Sequence, residues 1–179
     1  MKSRGDKAQF DDNTTAPGTV WYMDVVKTPY PKGVNKSSYF PYYVILACSK
    51  SRYIVPYGIF DNTHEMILGK LQELQVTILD QLPTPVQIHT LHADAASEFN
   101  NDDFKTKCLD KGIVVTLGAP WHQHQNGRIE RPWQTLRNIA YALLVEARLG
   151  MEFFCLAFEY AHFIFAILPV RTVFDEEGN

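Results

Sequence analysis

Three stretches near the start of the chain are rich in β-branched and aromatic residues, the composition typical of strands. They are TVWYMDVV (19–26), YFPYYVILAC (39–48) and RYIVPYGIF (52–60). The link Ser49-Lys50-Ser51 between the second and third is tight, whereas a longer polar loop precedes the second. The pattern predicts a three-stranded antiparallel meander.

A helix is predicted directly after the third strand. Asn62 and Glu65 have the spacing of a capping box, in which both ends of the motif satisfy free backbone N–H groups. The apolar positions that follow recur at helical spacing: Ile67, Leu71, Leu74 and Ile78. We therefore expect one face of this helix to be buried.

The rest of the chain alternates between strands and helices. VQIHTLHA (86–93) and IVVTL (113–117) have strand composition, and NDDFKTKCLDK (101–111) between them reads as a short helix ended by Gly112. A long helix is predicted from Arg128 to Arg148, closed by Gly150, and a last apolar helix ends near Pro169. Because proline is tolerated in the first helical turn, Pro132 indicates a start near Arg128 or Ile129.

This order of elements predicts an α/β fold. We expect a mixed five-stranded sheet, with three antiparallel strands, two parallel strands and helices on both faces, because parallel strands need crossover helices. Residues 19–170 would form one domain. The polar residues 1–18 read as a tail or linker, and 171–179 as a C-terminal tail.

Composition sets further limits on the class of protein. The 179 residues are 46% hydrophobic and 21% charged, which is enough to bury one sizeable core. We expect an intracellular protein with no membrane partner, because no apolar run has the length of a membrane span and the first residues lack a signal-peptide pattern. Three scattered cysteines favour neither disulfides nor zinc. The net charge of -3 counts mildly against a nucleic-acid partner.

Three acidic residues occupy positions where a carboxylate is costly. Asp24 lies within the first strand, Asp94 ends the fourth, and Glu130 lies near the start of the long helix. A carboxylate among apolar residues must be paired, protonated or bound to cations. Magnesium binds such oxygens, and two ions would serve a phosphodiester displacement. Ordinary salt bridges are the alternative explanation.

The segment from Leu91 to Asn138 resembles the integrase catalytic core of Copia-type long-terminal-repeat retrotransposons and of retroviruses, in the ribonuclease-H-like superfamily. The resemblance spans roughly residues 19–170 and is carried by motifs in the family's order: His92-x-Asp94, Glu98-Phe99, Lys111-Gly112-Ile113 and Pro120 through Glu130. Between Asp94 and Glu130 lie 35 residues, the spacing that this family favours. The match around Asp24 is less specific.

The resemblance implies an enzyme and its site. Asp24, Asp94 and Glu130 would be the catalytic, metal-binding residues, with two Mg²⁺ (or Mn²⁺) ions. His92 shares a strand face with Asp94 two residues away and would support that carboxylate, with a core histidine as the alternative. The loop from Pro120 to Gly127 would close over the scissile phosphate. The candidate DNA contacts are Asn126, Arg128, Gln134 and Arg137, for which solvated helix positions are the alternative.

The implied function is integration of DNA. Such an enzyme, an integrase, processes the ends of element DNA and joins them to target DNA, as a homodimer or higher homo-oligomer, in the nucleus and in the retrotransposon particle in the cytoplasm. Phe153, Phe154, Phe158, Phe163 and Phe165 supply the aromatic surface for an interface, unless all of them face the core. Resembling integrases carry a zinc-binding domain before the core and a basic region after it. This sequence holds neither, so we expect weak DNA binding by the chain itself.

The sequence departs from the family pattern at two places. Ala95-Ala96 replaces an Asn-Gly pair after the second acid, and Arg131-Pro132-Trp133-Gln134 follows the third. Neither change affects a proposed metal ligand. Two other functions stay open: a ribonuclease-H-like endonuclease without strand transfer, and a domesticated, non-enzymatic DNA-binding or assembly module.

Overall fold

The central sheet has five strands in the order β3-β2-β1-β4-β5. The computed structural model describes residues 16–29, 39–94, 99–118 and 123–167, with side chains in the last range from Ile129 onward. The strands are β1 (Val20–Lys27), β2 (Tyr42–Cys48), β3 (Ile54–Ile59), β4 (Thr90–Ala93) and β5 (Val114–Leu117). β1, β2 and β3 form an antiparallel meander, while β4 and β5 add to β1 in parallel. The predicted mixed sheet is confirmed.

Four helices cover the two faces of this sheet. They are α1 (His64–Thr77), α2 (Asp102–Asp110), α3 (Gln123–Glu146) and α4 (Phe154–Ile167). None of the helices in these described ranges has the length and apolar character needed to cross a membrane. The expected tails, 1–18 and 171–179, lie almost entirely outside the described residues, so the proposed domain limits stay predictions.

Alternation along β1 divides the core into two layers. Trp21 and Met23 face one side of the sheet, where α1 and α2 cover them, and Tyr22 faces the other, under α3 and α4. On the α1 side the predicted helical stripe is confirmed, because Ile67, Leu71 and Leu74 are all buried. Because helices cover both faces of the sheet, each of these strand residues packs against one of the two helical layers.

The long helix α3 begins earlier than predicted. It starts at Gln123, so Pro132 lies inside the helix rather than in its first turn. Proline removes one backbone donor, but the burial of Ile129, Leu136 and Ala140 against the sheet and α4 offsets that loss. Residues 123–127 are therefore helical, which corrects their assignment to a closing loop. Residues 119–122 lie outside the described range.

Two helix ends also differ from their predictions. The N-cap of α1 is Thr63 rather than Asn62, and its hydroxyl donates to Asp61 Oδ1 instead of capping the helix. The helix α3 ends at Glu146, and the residue with positive φ after it is Arg148 (φ 54°), not Gly150. The end of α2 matches its prediction, since Gly112 has a φ of +76°.

The strand predicted over 86–93 is only four residues long. The backbone N–H of Val86 donates to the Leu79 carbonyl, and that of Ile88 donates to the side-chain oxygen of Gln75. Residues 86–88 are thus held by the end of α1 and the turn that follows, whereas the His89 N–H donates to the Thr19 carbonyl and the His89 carbonyl accepts from Val114 of β5. Residues 86–88 have the composition of a strand, but their hydrogen bonds are not those of a sheet.

Candidate active site

Asp24 lies on β1, and Asp94 directly follows the neighbouring parallel strand β4. Met23 of β1 pairs with Ala93 of β4, and the two aspartates are the next residue on each chain segment. Because side chains alternate along a strand, both aspartates share the face of Tyr22 and His92. The Tyr22 and His92 rings stack on that face, with centroids 4.9 Å apart. The register therefore sets two carboxylates side by side.

The two carboxylates line one shallow cleft under α3. The cleft is bounded by Tyr22, Met23, Asp24, His92, Ala93, Asp94 and Ile129. Asp24 and Asp94 are half-buried, whereas the apolar residues that precede them, Met23 and Ala93, are buried in the core. A pair of adjacent carboxylates, partly withdrawn from water, is a donor set that suits a hard cation such as Mg²⁺.

Glu130 lies beside this cleft but does not complete a trio of ligands. Its neighbour on α3, Ile129, lines the cleft, and the Glu130 side chain itself is exposed. Among the residues whose side chains are described, the group of three whose candidate ligand atoms lie within 4.8 Å of one another is His64, Glu65 and Asp103. The three predicted acids thus share one region, with only the two aspartates at adjacent positions.

His92 is held in place from two sides. Its ring stacks on Tyr22 at an interplanar angle of 30°, and its Nδ1 shares a hydrogen bond with the hydroxyl of Thr116. Thr116 is the β5 residue paired with His92 in the parallel register. The sequence predicted His92 as a supporting residue, which stays a prediction, and gave no signal for its contacts with Tyr22 and Thr116. The strand register, once known, is the signal that places all three together.

The candidate DNA contacts on α3 are described only in part. Gln134 is exposed, as a contact residue would be. Arg137 is half-buried, and within the described part of the chain its Nε is a buried atom without a hydrogen-bond partner. The side chains of Asn126 and Arg128 lie outside the described residues, as does Glu98 of the family motif. The role of these residues in binding DNA stays a prediction.

The His64 cluster lies on the other side of the sheet, between α1 and α2. His64 Nε2 is 2.7 Å from Glu65 Oε1 and 2.8 Å from Asp103 Oδ2. Lys107 Nζ lies 2.6 Å from the same Asp103 oxygen. Its hydrogen bond is the main cause of the lowered pKa of Asp103, and that bond also raises the pKa of Lys107. An ammonium group already engages this carboxylate, so the cluster is a surface ion-pair network.

Comparison with known proteins identifies the fold. No protein-family model matches the sequence, and no curated protein matches it. Among solved structures, the chain is similar to the HTLV-2 integrase catalytic core domain in complex with magnesium. In the dimeric form the TM-score is 0.61 at 17% identity, covering 90% of this chain and 95% of that one. In the trimeric form the TM-score is 0.59 at 18% identity, covering 90% of this chain and 92% of that one.

A second similar structure is the simian T-cell lymphotropic virus intasome in complex with a PP2A regulatory subunit. The TM-score is 0.68 at 18% sequence identity over 88% of this chain. This chain spans about half (51%) of the length of that matched chain. The chain therefore has the ribonuclease-H-like fold of integrase catalytic cores. At this level of identity the likeness concerns the fold alone and does not extend to the chemistry of the site.

Proposed function

We propose that this chain is the catalytic core of an integrase of a Copia-type long-terminal-repeat retrotransposon. It would be a metal-dependent polynucleotidyl transferase that processes the ends of element DNA and joins them to target DNA. The observation that supports this proposal is the pairing of Asp24 and Asp94 in one cleft, on the fold of an integrase core. In a protein with only a structural role, two half-buried carboxylates side by side would cost stability without serving a function.

Asp24, Asp94 and Glu130 would hold two Mg²⁺ or Mn²⁺ ions. The ions would supply charge neutralisation at the attacking and leaving oxygens of the phosphodiester. The donor set consists of carboxylates alone, which suits a hard cation and disfavours zinc. Glu130 would reach the site from α3 by side-chain rotation, since it is exposed and adjacent in sequence to Ile129 in the cleft wall. The HTLV-2 core, which has this fold, was solved with magnesium.

His92 would fix the position of Asp94 through its place on the same strand. Its ring is clamped between the Tyr22 ring and the Thr116 hydroxyl, so the β4 end cannot shift without breaking both contacts. The two aspartates would thereby keep their spacing when charge or substrate changes around them. A preorganised pair of carboxylates loses less entropy on binding cations than a mobile pair.

The substrate class we propose is duplex DNA. Gln134 and Arg137 lie on α3 at positions three residues apart, on the helix that also carries Glu130, and Asn126 and Arg128 precede them. Phosphate contacts need only a local set of such donors, so the net charge of -3 is compatible with DNA binding. Ions in the cleft would neutralise the acids that otherwise repel the phosphate.

Assembly and location belong to the same proposal. A homodimer or higher homo-oligomer would place two active sites on two DNA ends, and the solved neighbours are dimeric, trimeric or part of an intasome. The enzyme would act in the nucleus, where target DNA lies, after transport in the retrotransposon particle.

The test is a strand-transfer assay with pre-cut element-end duplexes, Mg²⁺ or Mn²⁺ and a labelled target. We expect metal-dependent joining by the wild-type chain. Asp24→Asn, Asp94→Asn and Glu130→Gln should each reduce joining by on the order of 10³-fold, because each removes a charge that the transition state needs. Their circular dichroism and thermal unfolding should stay close to wild type.

Matched controls show whether a loss of joining depends on where the negative charge is removed. Asp110→Asn on α2 and Glu146→Gln at the end of α3 remove exposed acids away from the cleft and should leave joining unchanged. Full joining by any one of the three site variants would refute the assignment of that residue. Cleavage without joining would favour the endonuclease, and the absence of both activities and of metal-induced stabilisation would favour a non-enzymatic module.

A further inference from the structure

Exposed aromatic rings lie near α4 and just beyond both ends of β3. Near α4, the five phenylalanines considered from the sequence divide between core and surface: Phe154 and Phe158 are buried, Phe165 is half-buried, and Phe153 and Phe163 are exposed. Those two exposed rings belong to the homo-oligomer already proposed. The ring that follows β3 is Phe60, which is 52% exposed and does not line the cleft of Asp24 and Asp94.

Phe60 is braced by a second ring. The centroid of the Phe40 ring lies 5.0 Å from that of Phe60, at an interplanar angle of 52°. Phe40 in turn lies over Gly58 of β3, where a Cβ atom would overlap the ring. The Phe40 backbone N–H donates to Cys155 Sγ at 3.3 Å, which ties this residue to the start of α4. Phe40, Gly58 and Phe60 therefore form a fixed aromatic surface, here called the Phe60 platform.

The Phe60 platform lies at the same end and on the same face of the sheet as the carboxylates. Asp24 pairs with Ile45 of β2, and Ile45 pairs with Pro56 of β3. Paired residues share a face, and so do residues four apart on a strand, so Phe60 is on the face of Asp24. Because β3 runs in the same direction as β1, Phe60 lies beyond the carboxylate end of the sheet. Strand spacing and rise put it roughly 16 Å from Asp24.

The size of the platform limits what it can hold. A phenylalanine buries about 150–250 Å² when it is covered in full, so a half-exposed ring offers on the order of 100 Å². A stable protein interface needs about 800 Å² from each partner. A single nucleobase, in contrast, is covered by one aromatic ring, and such stacking accepts any base because every base has a π-face.

The charge beside Phe60 favours a neutral group over a phosphate or an anionic membrane surface. Asp61 follows Phe60 directly and is exposed. Its carboxylate accepts hydrogen bonds from the N–H and the hydroxyl of Thr63, and these bonds lower the pKa of Asp61. The carboxylate is therefore charged at neutral pH and repels phosphate oxygens, whereas an uncharged base can approach the ring.

The proposed reaction leaves unpaired bases beside the cleft. End processing removes nucleotides from one strand of the element DNA, so the opposite strand keeps bases without partners. This overhang starts at the cleft, and its first few nucleotides can reach Phe60. An unpaired base gains a stacking partner there, whereas a paired base is already stacked within the duplex.

We propose that the Phe60 platform binds an unpaired base of the element-end DNA by stacking. Phe60 would contact the base, while Phe40 and Gly58 would hold the Phe60 ring in place. This inference rests on the proposed function, because that reaction supplies the overhang. Its test is separate, since stacking needs neither metal ions nor catalysis.

Fluorescence anisotropy with two element-end duplexes, in the absence of divalent ions, tests the proposal. One duplex carries a short single-stranded overhang on the unprocessed strand, and the other has the same sequence with a blunt end. The wild-type chain should bind the overhang duplex more tightly. Phe60→Ala should weaken binding of the overhang duplex by about fivefold or more and leave binding of the blunt duplex unchanged. Phe60→Trp should keep the wild-type preference, because tryptophan also stacks on bases.

The matched control is Tyr53→Ala. Tyr53 is 38% exposed and directly precedes β3, so it is an exposed aromatic residue next to the same strand but at the opposite end of the sheet. This variant should keep the wild-type preference for the overhang. Equal loss of preference in Phe60→Ala and Tyr53→Ala, or unchanged preference in both, would overturn the proposal.

Photocrosslinking decides the case if Phe60→Ala fails to fold. 5-Iodouracil in the overhang should crosslink to Phe60 of the wild-type chain, and peptide mass spectrometry identifies the residue. Crosslinks only at residues outside the platform would overturn the proposal, as would a wild-type chain with no preference for the overhang. Joining without that preference would refute the platform alone, whereas the preference without joining would refute the proposed catalysis alone.

Discussion

The two faces of the sheet are built from the same strands but carry different kinds of side chains. On the α1 and α2 side, β1 contributes Trp21 and Met23 to a continuous apolar layer. On the α3 and α4 side, the same strand contributes Tyr22 and then Asp24, which opens the cleft. Along β1 the first face is apolar, whereas the second is interrupted by a carboxylate. We therefore expect changes on the first face to cost stability, and changes at the cleft to cost activity.

The largest effect on the α1 and α2 face is expected from Leu74→Ala. Leu74 is fully buried in α1, and loss of its side chain leaves a cavity that should lower the free energy of unfolding by about 2–5 kcal/mol. Urea denaturation measures this loss. Leu109→Ala, at an exposed position on α2, should change the free energy of unfolding by less than about 0.5 kcal/mol.

The joining activity of the Leu74→Ala variant provides a second test of the difference between the two faces. Joining per folded molecule should remain near the wild-type level in Leu74→Ala, because the cleft lies on the opposite side of β1. A loss of joining as deep as that of Asp94→Asn, in a variant that is still folded, would show that the two faces are not independent.

A smaller effect of opposite sign is expected from Tyr43→Phe. Tyr43 is buried on the α3 and α4 side, and its hydroxyl has no hydrogen-bond partner of normal geometry among the described residues. The nearby thiol of Cys155 is at best a weak partner. Burial is the main cause of a strongly raised pKa for this phenol. Removal of the hydroxyl should stabilise the fold by about 1 kcal/mol.

Chemical denaturation measures the Tyr43→Phe effect, and strand transfer serves as its control. Destabilisation by this substitution would mean that the hydroxyl has a favourable partner after all. The variant should keep its joining activity, because Tyr43 does not line the cleft.

The smallest effect concerns pH. Burial lowers the pKa of His162, while the hydrogen bond with the Ile54 carbonyl opposes this shift. A histidine whose folded pKa is depressed binds protons more readily when unfolded, so its contribution to stability falls as pH drops below about 6.5. The ring is partly exposed, and we expect a loss of less than about 1 kcal/mol.

Urea denaturation at pH 7 and at a mildly acidic pH isolates this contribution when the wild type is compared with His162→Gln. The glutamine can still donate to Ile54 but cannot titrate. An equal loss of stability in both proteins would assign the pH dependence to other groups.

Much of the fold followed from the sequence because periodicity reports burial directly. The strand composition of 19–26 and the helical spacing of Ile67, Leu71 and Leu74 reflect contacts with one core, and both predictions are confirmed. The mix of three antiparallel and two parallel strands followed from the need of parallel strands for crossover helices, whereas the strand order came only from the structure.

Helix and strand ends were predicted less well because local rules compete with tertiary contacts. Pro132 indicated a helix start, yet buried residues on both sides of it sustain α3 from Gln123. Asp61 competes for the hydroxyl of Thr63 and leaves α1 without a side-chain cap. Each outcome depends on a partner that propensity rules do not consider.

The candidate carboxylates could be named from the sequence, but their arrangement could not, and their roles stay predictions. Spacing and order indicated Asp24, Asp94 and Glu130, and the strand register then placed the two aspartates together. The exposed orientation of Glu130, and the clamp of Tyr22 and Thr116 on His92, depend on packing across three elements. No single stretch of sequence carries that information.

A crystal of the chain soaked in Mn²⁺ and measured for anomalous scattering shows whether the cleft binds metal ions. We expect strong anomalous peaks in the cleft, coordinated by Asp24 and Asp94, with Glu130 turned toward them. An empty cleft at saturating Mn²⁺ would refute the proposed metal site, most clearly if the ions instead occupied the cluster of His64, Glu65 and Asp103.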